Sequence, residues 1–170
     1  LRPLFHYGIF FEGLVSFQLA RQTDDEEHCR KGEAALVFMR NWSKRNQWNF
    51  ENKYLLLEAE MMNISGYHDQ ATQLYEDALR SSNEHKFIHE EAIASELAAA
   101  FFYERGLIQK SYSFFLHSAK CYTKWGALAI AKRVESDILG KFGSDFVRLE
   151  PIDDSLASII ASKGSSKKRL

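Results

Sequence analysis

Residues 55–66 read LLLEAEMMNISG, and residues 95–106 read SELAAAFFYERG. At an offset of forty, Leu57 meets Leu97, Ala59 meets Ala99, Met62 meets Phe102 and Gly66 meets Gly106. The match runs on into the next segment, where Ala71, Tyr75 and Ala78 correspond to Ser111, Phe115 and Ser118. Recurrence at a period of roughly 20 to 50 residues marks stacked units of supersecondary structure. The matched residues fall at helical spacing. Ala59 and Ala99 let a neighbouring helix come close. Ala71 with Ala78, and Ser111 with Ser118, give the second helix of each pair a small-residue face. Tyr75 and Phe115 fill the space between, because large against small is how facing helices interlock at interior density.

Helices are predicted on both sides of this repeat. Pro3 and Pro151 are the only prolines, and a long proline-free stretch suits helices. The first helix runs from Pro3 to Gln22 through Phe10, Leu14, Phe17 and Ala20. Asp24, Asp25, Glu26 and Glu27 then suit the positive end of a helix dipole. That second helix reaches about Arg45, with an inner stripe of Ala35, Val37, Phe38 and Trp42. Five more are predicted over residues 50–64, 69–81, 89–104, 109–124 and 127–141. Gly66, Gly106, Gly126, Gly140 and Gly143 serve as stops. The fold class is therefore all-α: a superhelix of antiparallel hairpins, about seven helices, over residues 1–143. Residues 144–170 are serine-rich and end in Lys167, Lys168 and Arg169. They read as a flexible linker or tail with an apolar island at Leu156, Ile159 and Ile160.

Composition bounds the function. The 170 residues are 45% apolar and 26% charged with a net charge of −1, which fits one soluble unit. Near-neutrality argues against a broad nucleic-acid-binding face. Two distant cysteines exclude a disulfide framework and a four-cysteine zinc site, and point to a reducing, cytoplasmic compartment. No apolar run approaches the ~20 residues that span a bilayer. The chain begins at Leu1, so a piece of a longer protein is expected, with any targeting signal lying outside it.

Catalytic signatures are not found in the sequence: there is no GxxxxGK loop and no GxSxG turn. His85 and His89 stand four apart before Glu90 and Glu91. This pattern lacks the HExxH arrangement and a third ligand, so it reads as a polar helix start, and no metal is assigned. A small helical metal-binding enzyme built on these histidines is the minor alternative. Cys121 follows His117 by four residues and reads as an inert core thiol, while Cys29 lies in the charged segment EEHCRK. The phenylalanines at 10, 11, 17, 101, 102, 114 and 115 recur at helical spacing and read as core. Trp42, Trp48 and Trp125 read as seals at helix corners.

The repeat resembles the tetratricopeptide family. Gly66, Ala71, Tyr75 and Ala78 stand at that family's spacing, and Gly106, Ser111, Phe115 and Ser118 follow with serine for alanine. The period near forty instead of thirty-four, and the missing terminal proline, make the likeness a loose one. The extra residues are expected around residues 86–91, lengthening the fifth helix at its start. A closer resemblance spans about residues 5–142. The segments HEEAIASELAAAFFYERG and CYTKWGA look like the helical region of large multidomain signalling proteins. In these a protein-kinase-like domain and an AAA-type ATPase precede the helices, and a GAF sensor and a histidine kinase often follow.

This likeness implies a non-catalytic interaction or regulatory module. ATP and magnesium, and any ATPase or kinase activity, would belong to parts of a parent protein outside this chain. The family likeness also places the first helix of each pair along a concave groove. Lys53, Glu60, Asn63, Glu96 and Tyr103 are the polar positions expected there. The expected partner is a protein or peptide, or an adjacent domain of the same chain, and neither nucleic acid nor a membrane is expected.

Overall fold

The computed structural model of the protein describes residues 5–23 and 25–149. Seven helices appear among them: α1 Phe5–Thr23, α2 Glu26–Arg45, α3 Gln47–Ile64, α4 His68–Glu84, α5 Ile88–Glu104, α6 Ile108–Trp125 and α7 Leu128–Leu149. The described residues contain no strand. Two caps fix the early boundaries. The Asp25 side chain accepts the Glu27 amide at 2.8 Å, and Asn46 accepts that of Asn49 at 3.3 Å. Each cap satisfies a donor that the helix itself leaves unpaired. Asn46 also explains why α3 begins three residues before the predicted Phe50.

One turn closes four of the helices. The backbone is left-handed at Gly66, Lys86, Gly106 and Gly126, with φ of 79°, 65°, 71° and 92°. The amide after each reaches back five residues: Tyr67 to Met62, Phe87 to Ser82, Leu107 to Phe102 and Ala127 to Tyr122, at 2.9–3.0 Å. This is the Schellman closure. Its centres at 66, 86, 106 and 126 stand twenty apart, so the forty-residue recurrence is two copies of one helix plus one turn. Nothing crowds a Cβ at the three glycines; glycine is needed there for φ. Lys86 takes the same conformation without being glycine and so hides the shorter beat. The length beyond thirty-four is shared by two helices, since α4 runs to Glu84 and α5 already begins at Ile88.

Short connections make successive helices pack as antiparallel neighbours. Each helix packs on the next, α1 also packs on α3, and α3 touches α5. The odd helices α1, α3 and α5 therefore form one layer, with α2, α4 and α6 behind it. The repeat residues lie between the layers. Ala59, Ala71, Tyr75, Ala78, Ala99, Ser111, Phe115 and Ser118 are all buried. The two serines replace alanine at no polar penalty, because their hydroxyls donate across to α5. Ser111 bonds the Ala99 carbonyl at 2.7 Å, and Ser118 that of Ala92 at 2.9 Å.

The ends depart from the sequence reading. In α2 the buried stripe is Gly32, Ala35, Leu36 and Met39. Val37 and Phe38 are about half exposed, one step round the helix from the expected face. The reason is close approach: a Cβ on Gly32 would stand 2.5 Å from the Phe17 ring. This contact turns Gly32, and with it Leu36 and Met39, toward α1. At the other end, α7 buries Ala131, Val134 and Ile138. Gly143 breaks α7 at φ 77°, ψ 159°, where the domain was expected to stop. Helical backbone resumes after the break and continues to Leu149. The apolar island and the basic terminus lie outside the described residues. No described helix is long and apolar enough to cross a membrane.

Candidate functional site

The five polar positions expected in the groove sit on α3 and α5, and each ties its helix to another. Lys53 Nζ lies 2.6 Å from Glu90 Oε1, joining α3 to α5. Glu60 Oε1 accepts the Tyr75 hydroxyl at 2.6 Å from α4, and its Oε2 meets Arg21 of α1 at 2.9 Å. Asn63 Oδ1 accepts from Arg105 at 3.0 Å. Glu96 takes the Tyr122 hydroxyl at 2.9 Å from α6 and Arg133 at 2.6 Å from α7. The Tyr103 ring packs edge-on against Phe142 of α7. Lys53, Glu60 and Asn63 are buried, so their polar atoms face neighbouring helices.

Lys53 is buried among aromatic rings. Its ammonium lies 4.9 Å from the Phe87 ring centre and 5.4 Å from that of Tyr7, an aromatic setting that favours a cation. Asn52 donates to Glu90 Oε2 as well. Burial acts to raise the Glu90 carboxyl, but hydrogen bonds from His89, Lys53 and Asn52 outweigh it and hold the group below the usual carboxylate range. At Glu60 burial prevails. It raises the carboxyl above that range against the pull of Arg21 and the Tyr75 hydrogen bond.

An open cleft of about 480 Å³ crosses the C-terminal ends of α1, α3 and α5. Gln18, Arg21, Gln22, Asn63, Glu104 and Arg105 line it. Asn63 is the one residue predicted for the groove that reaches it. The sequence reading missed the two arginines, although each stands at the C-terminal end of an odd-numbered helix, where a cation complements the dipole. Arg105 also lies over the Phe101 ring at 4.8 Å. No acidic side chain among the described residues lies in ion-pair range of Arg105.

The residues considered for chemistry fall into two places. The His85 ring packs tilted against Trp48 with ring centres 4.3 Å apart. His89 stacks on Trp125 at 5.3 Å, with its Nε2 3.4 Å from the Tyr7 hydroxyl. The two histidines thus serve different corners. Cys121 Sγ lies 3.4 Å from His117 Nε2, and that nitrogen lies 2.8 Å from Glu91 Oε1 on α5. Glu91 is the third member that the sequence did not reveal, since it stands thirty residues from Cys121. Burial, with the Glu91 charge beside it, pushes the Cys121 thiol up to about 12. It is a poor nucleophile in this state.

No protein-family model matches the chain, and neither a curated protein nor a solved structure does. The fold itself defines the class: an all-α array of repeated helical hairpins.

Proposed function

We propose that this chain is a non-catalytic docking and regulatory module, tetratricopeptide-like, within a multidomain signalling ATPase or kinase. It binds a protein segment or a neighbouring domain in the cleft across α1, α3 and α5. The supporting observation is Arg105, an exposed cation at a helix end with no acidic partner among the described residues. A planar, permanently charged guanidinium prefers a carboxylate, so the docked segment is acidic. The ties through Lys53, Glu60 and Glu96 link successive helices. Two free cysteines fit a reducing, cytoplasmic setting.

Site-specific photocrosslinking tests this reading. A crosslinking residue at Gln22, in the chain expressed within its own reading frame, is expected to capture one acidic segment. The same probe at Lys120 on α6 is expected to capture none, and Arg105→Glu is expected to abolish capture at Gln22. Equal capture from both probes, or capture indifferent to Arg105→Glu, removes the cleft as the docking surface.

A further inference from the structure

We propose that Glu91, His117 and Cys121 form a binding site for one zinc ion, a site independent of the docking cleft. One oxygen, one nitrogen and one sulfur of these residues all lie within 4.8 Å of one another. The pattern at His117 is informative. A single ring nitrogen, Nε2, faces both Glu91 Oε1 at 2.8 Å and Cys121 Sγ at 3.4 Å. The Cys121 thiol also hydrogen-bonds the Glu91 carboxylate, so all three side chains converge on one point. A cation placed among the three atoms serves all of them.

The nitrogen–sulfur edge of the cluster is close to what zinc requires. Tetrahedral bonds of about 2.05 Å to nitrogen and 2.3 Å to sulfur give an N···S edge of about 3.6 Å, near the 3.4 Å found. The N···O edge opens by about 0.6 Å, which a rotation of the Glu91 carboxylate supplies. His117 and Cys121 stand four apart on α6 and so share one face. Glu91 comes from α5, and the Ser118 bond to the Ala92 carbonyl fixes the two helices in register beside it. Asn83 Nδ2 donates to Glu91 Oε1 at 3.0 Å, the kind of outer contact that orients a metal-binding carboxylate. Glu91 and Cys121 are buried, while His117 keeps 18% of its side chain exposed. That opening admits the ion and leaves the fourth position to water.

The donor set selects the metal. Thiolate with imidazole suits zinc and disfavours magnesium and calcium, which prefer oxygen ligands. On binding, the Cys121 S–H bond breaks, its proton passes to solvent and a zinc–sulfur bond forms. His117 binds as the neutral ring with its proton on Nδ1.

The test uses the whole 170-residue chain, reduced and metal-free, with cobalt(II) as the optical probe and zinc as competitor. One equivalent of cobalt at micromolar concentration is expected to give a thiolate-to-cobalt charge-transfer band and tetrahedral visible bands, which zinc then bleaches. Cys121→Ser is expected to abolish the charge-transfer band, and Cys29→Ser to leave it intact. His117→Gln is expected to remove tight binding, and Asn83→Ala, which alters only an outer contact, to weaken it by about 10–100-fold. Circular dichroism of each variant separates loss of ligand from loss of fold. A wild-type chain that gives no thiolate band, or a band that survives Cys121→Ser, overturns the site.

Discussion

Lys53 and Glu90 form an ion pair with Nζ 2.6 Å from Oε1 and both side chains 2% exposed. Their helices, α3 and α5, are the odd-numbered members of successive hairpins. The pair therefore joins hairpin to hairpin, where α3 and α5 also touch. Two charges out of water are tolerated only when geometry and further hydrogen bonds compensate. Here Asn49 supplies a carbonyl to Lys53 at 2.8 Å, and Asn52 supplies a donor to Glu90. Such a pair fixes register more than it adds stability.

Deleting one partner strands the other charge. Lys53→Met or Glu90→Gln alone should lower stability by about 3–5 kcal/mol, and the double variant Lys53→Met/Glu90→Leu should regain most of that loss. Urea unfolding of the three variants measures it. A double variant that loses the full sum of the singles would show that the pair does not act as a unit.

Acid should weaken the stack through the same residue. Glu90 and Glu91 are both held below the unperturbed carboxylate value of 4.5 in the fold. A depressed folded pKa gives stability that is present above 4.5 and lost as pH falls through the folded value. Thermal melts from pH 7 downward should therefore show a falling limb below about pH 4.5. That limb should be flatter in Glu90→Gln. An unchanged slope would mean that other carboxylates carry the acid transition.

Much of this architecture was legible because helix spacing and small-residue placement are local properties. Ala59, Ala71, Ala78 and Ala99 announce the interlayer contact, and Gly66 and Gly106 announce the turns. The twenty-residue beat was hidden because Lys86 occupies a left-handed position without glycine's signature. The α2 stripe was misread because Val37 and Phe38 are apolar, while the contact that sets the helix phase is made by Gly32, which has no side chain to count. The polar ties were missed for a different reason. Lys53, Glu60 and Asn63 have the composition of a wet face, and only their distant partners Glu90, Arg21, Tyr75 and Arg105 show that they are interior.

Lys86 offers a gain. An L-residue in the left-handed region costs roughly 1–2 kcal/mol, part of which glycine returns as extra freedom in the unfolded chain. Lys86→Gly should therefore stabilise the protein by about 0.5–1 kcal/mol, while Gly66→Ala should destabilise it by a similar amount. Paired thermal melts decide this. A lower melting temperature for Lys86→Gly would show that the lysine side chain holds the turn in some other way.

Gly32 offers the opposite. A methyl group there meets three atoms of the Phe17 ring within 2.8 Å, and Phe17 is fully buried. Gly32→Ala should cost about 1–3 kcal/mol through overpacking. Phe17→Leu in the same chain should relieve part of that cost. Simple additivity of the two losses in denaturant unfolding would argue against a steric origin.

Glu60 and Tyr75 give the most discriminating pair of variants. The carboxyl is fully buried, and burial raises it above the ordinary range. A raised folded pKa means stability that is present at low pH and lost as pH climbs through the folded value, opposite in sign to Glu90. Glu60→Gln removes the titrating group and keeps an acceptor for the Tyr75 hydroxyl. Its stability relative to wild type should therefore improve as pH rises from the ordinary value of 4.5 toward the raised one. Tyr75→Phe instead leaves Glu60 Oε1 without its 2.6 Å donor, at a cost of about 1–3 kcal/mol near neutral pH. In the combined variant the neutral amide should tolerate the missing hydroxyl better than the carboxylate does. The double loss should then fall below the sum of the singles. Denaturant unfolding at two pH values reads all four proteins, and a pH-independent Glu60→Gln difference would show that the carboxyl keeps its charge throughout.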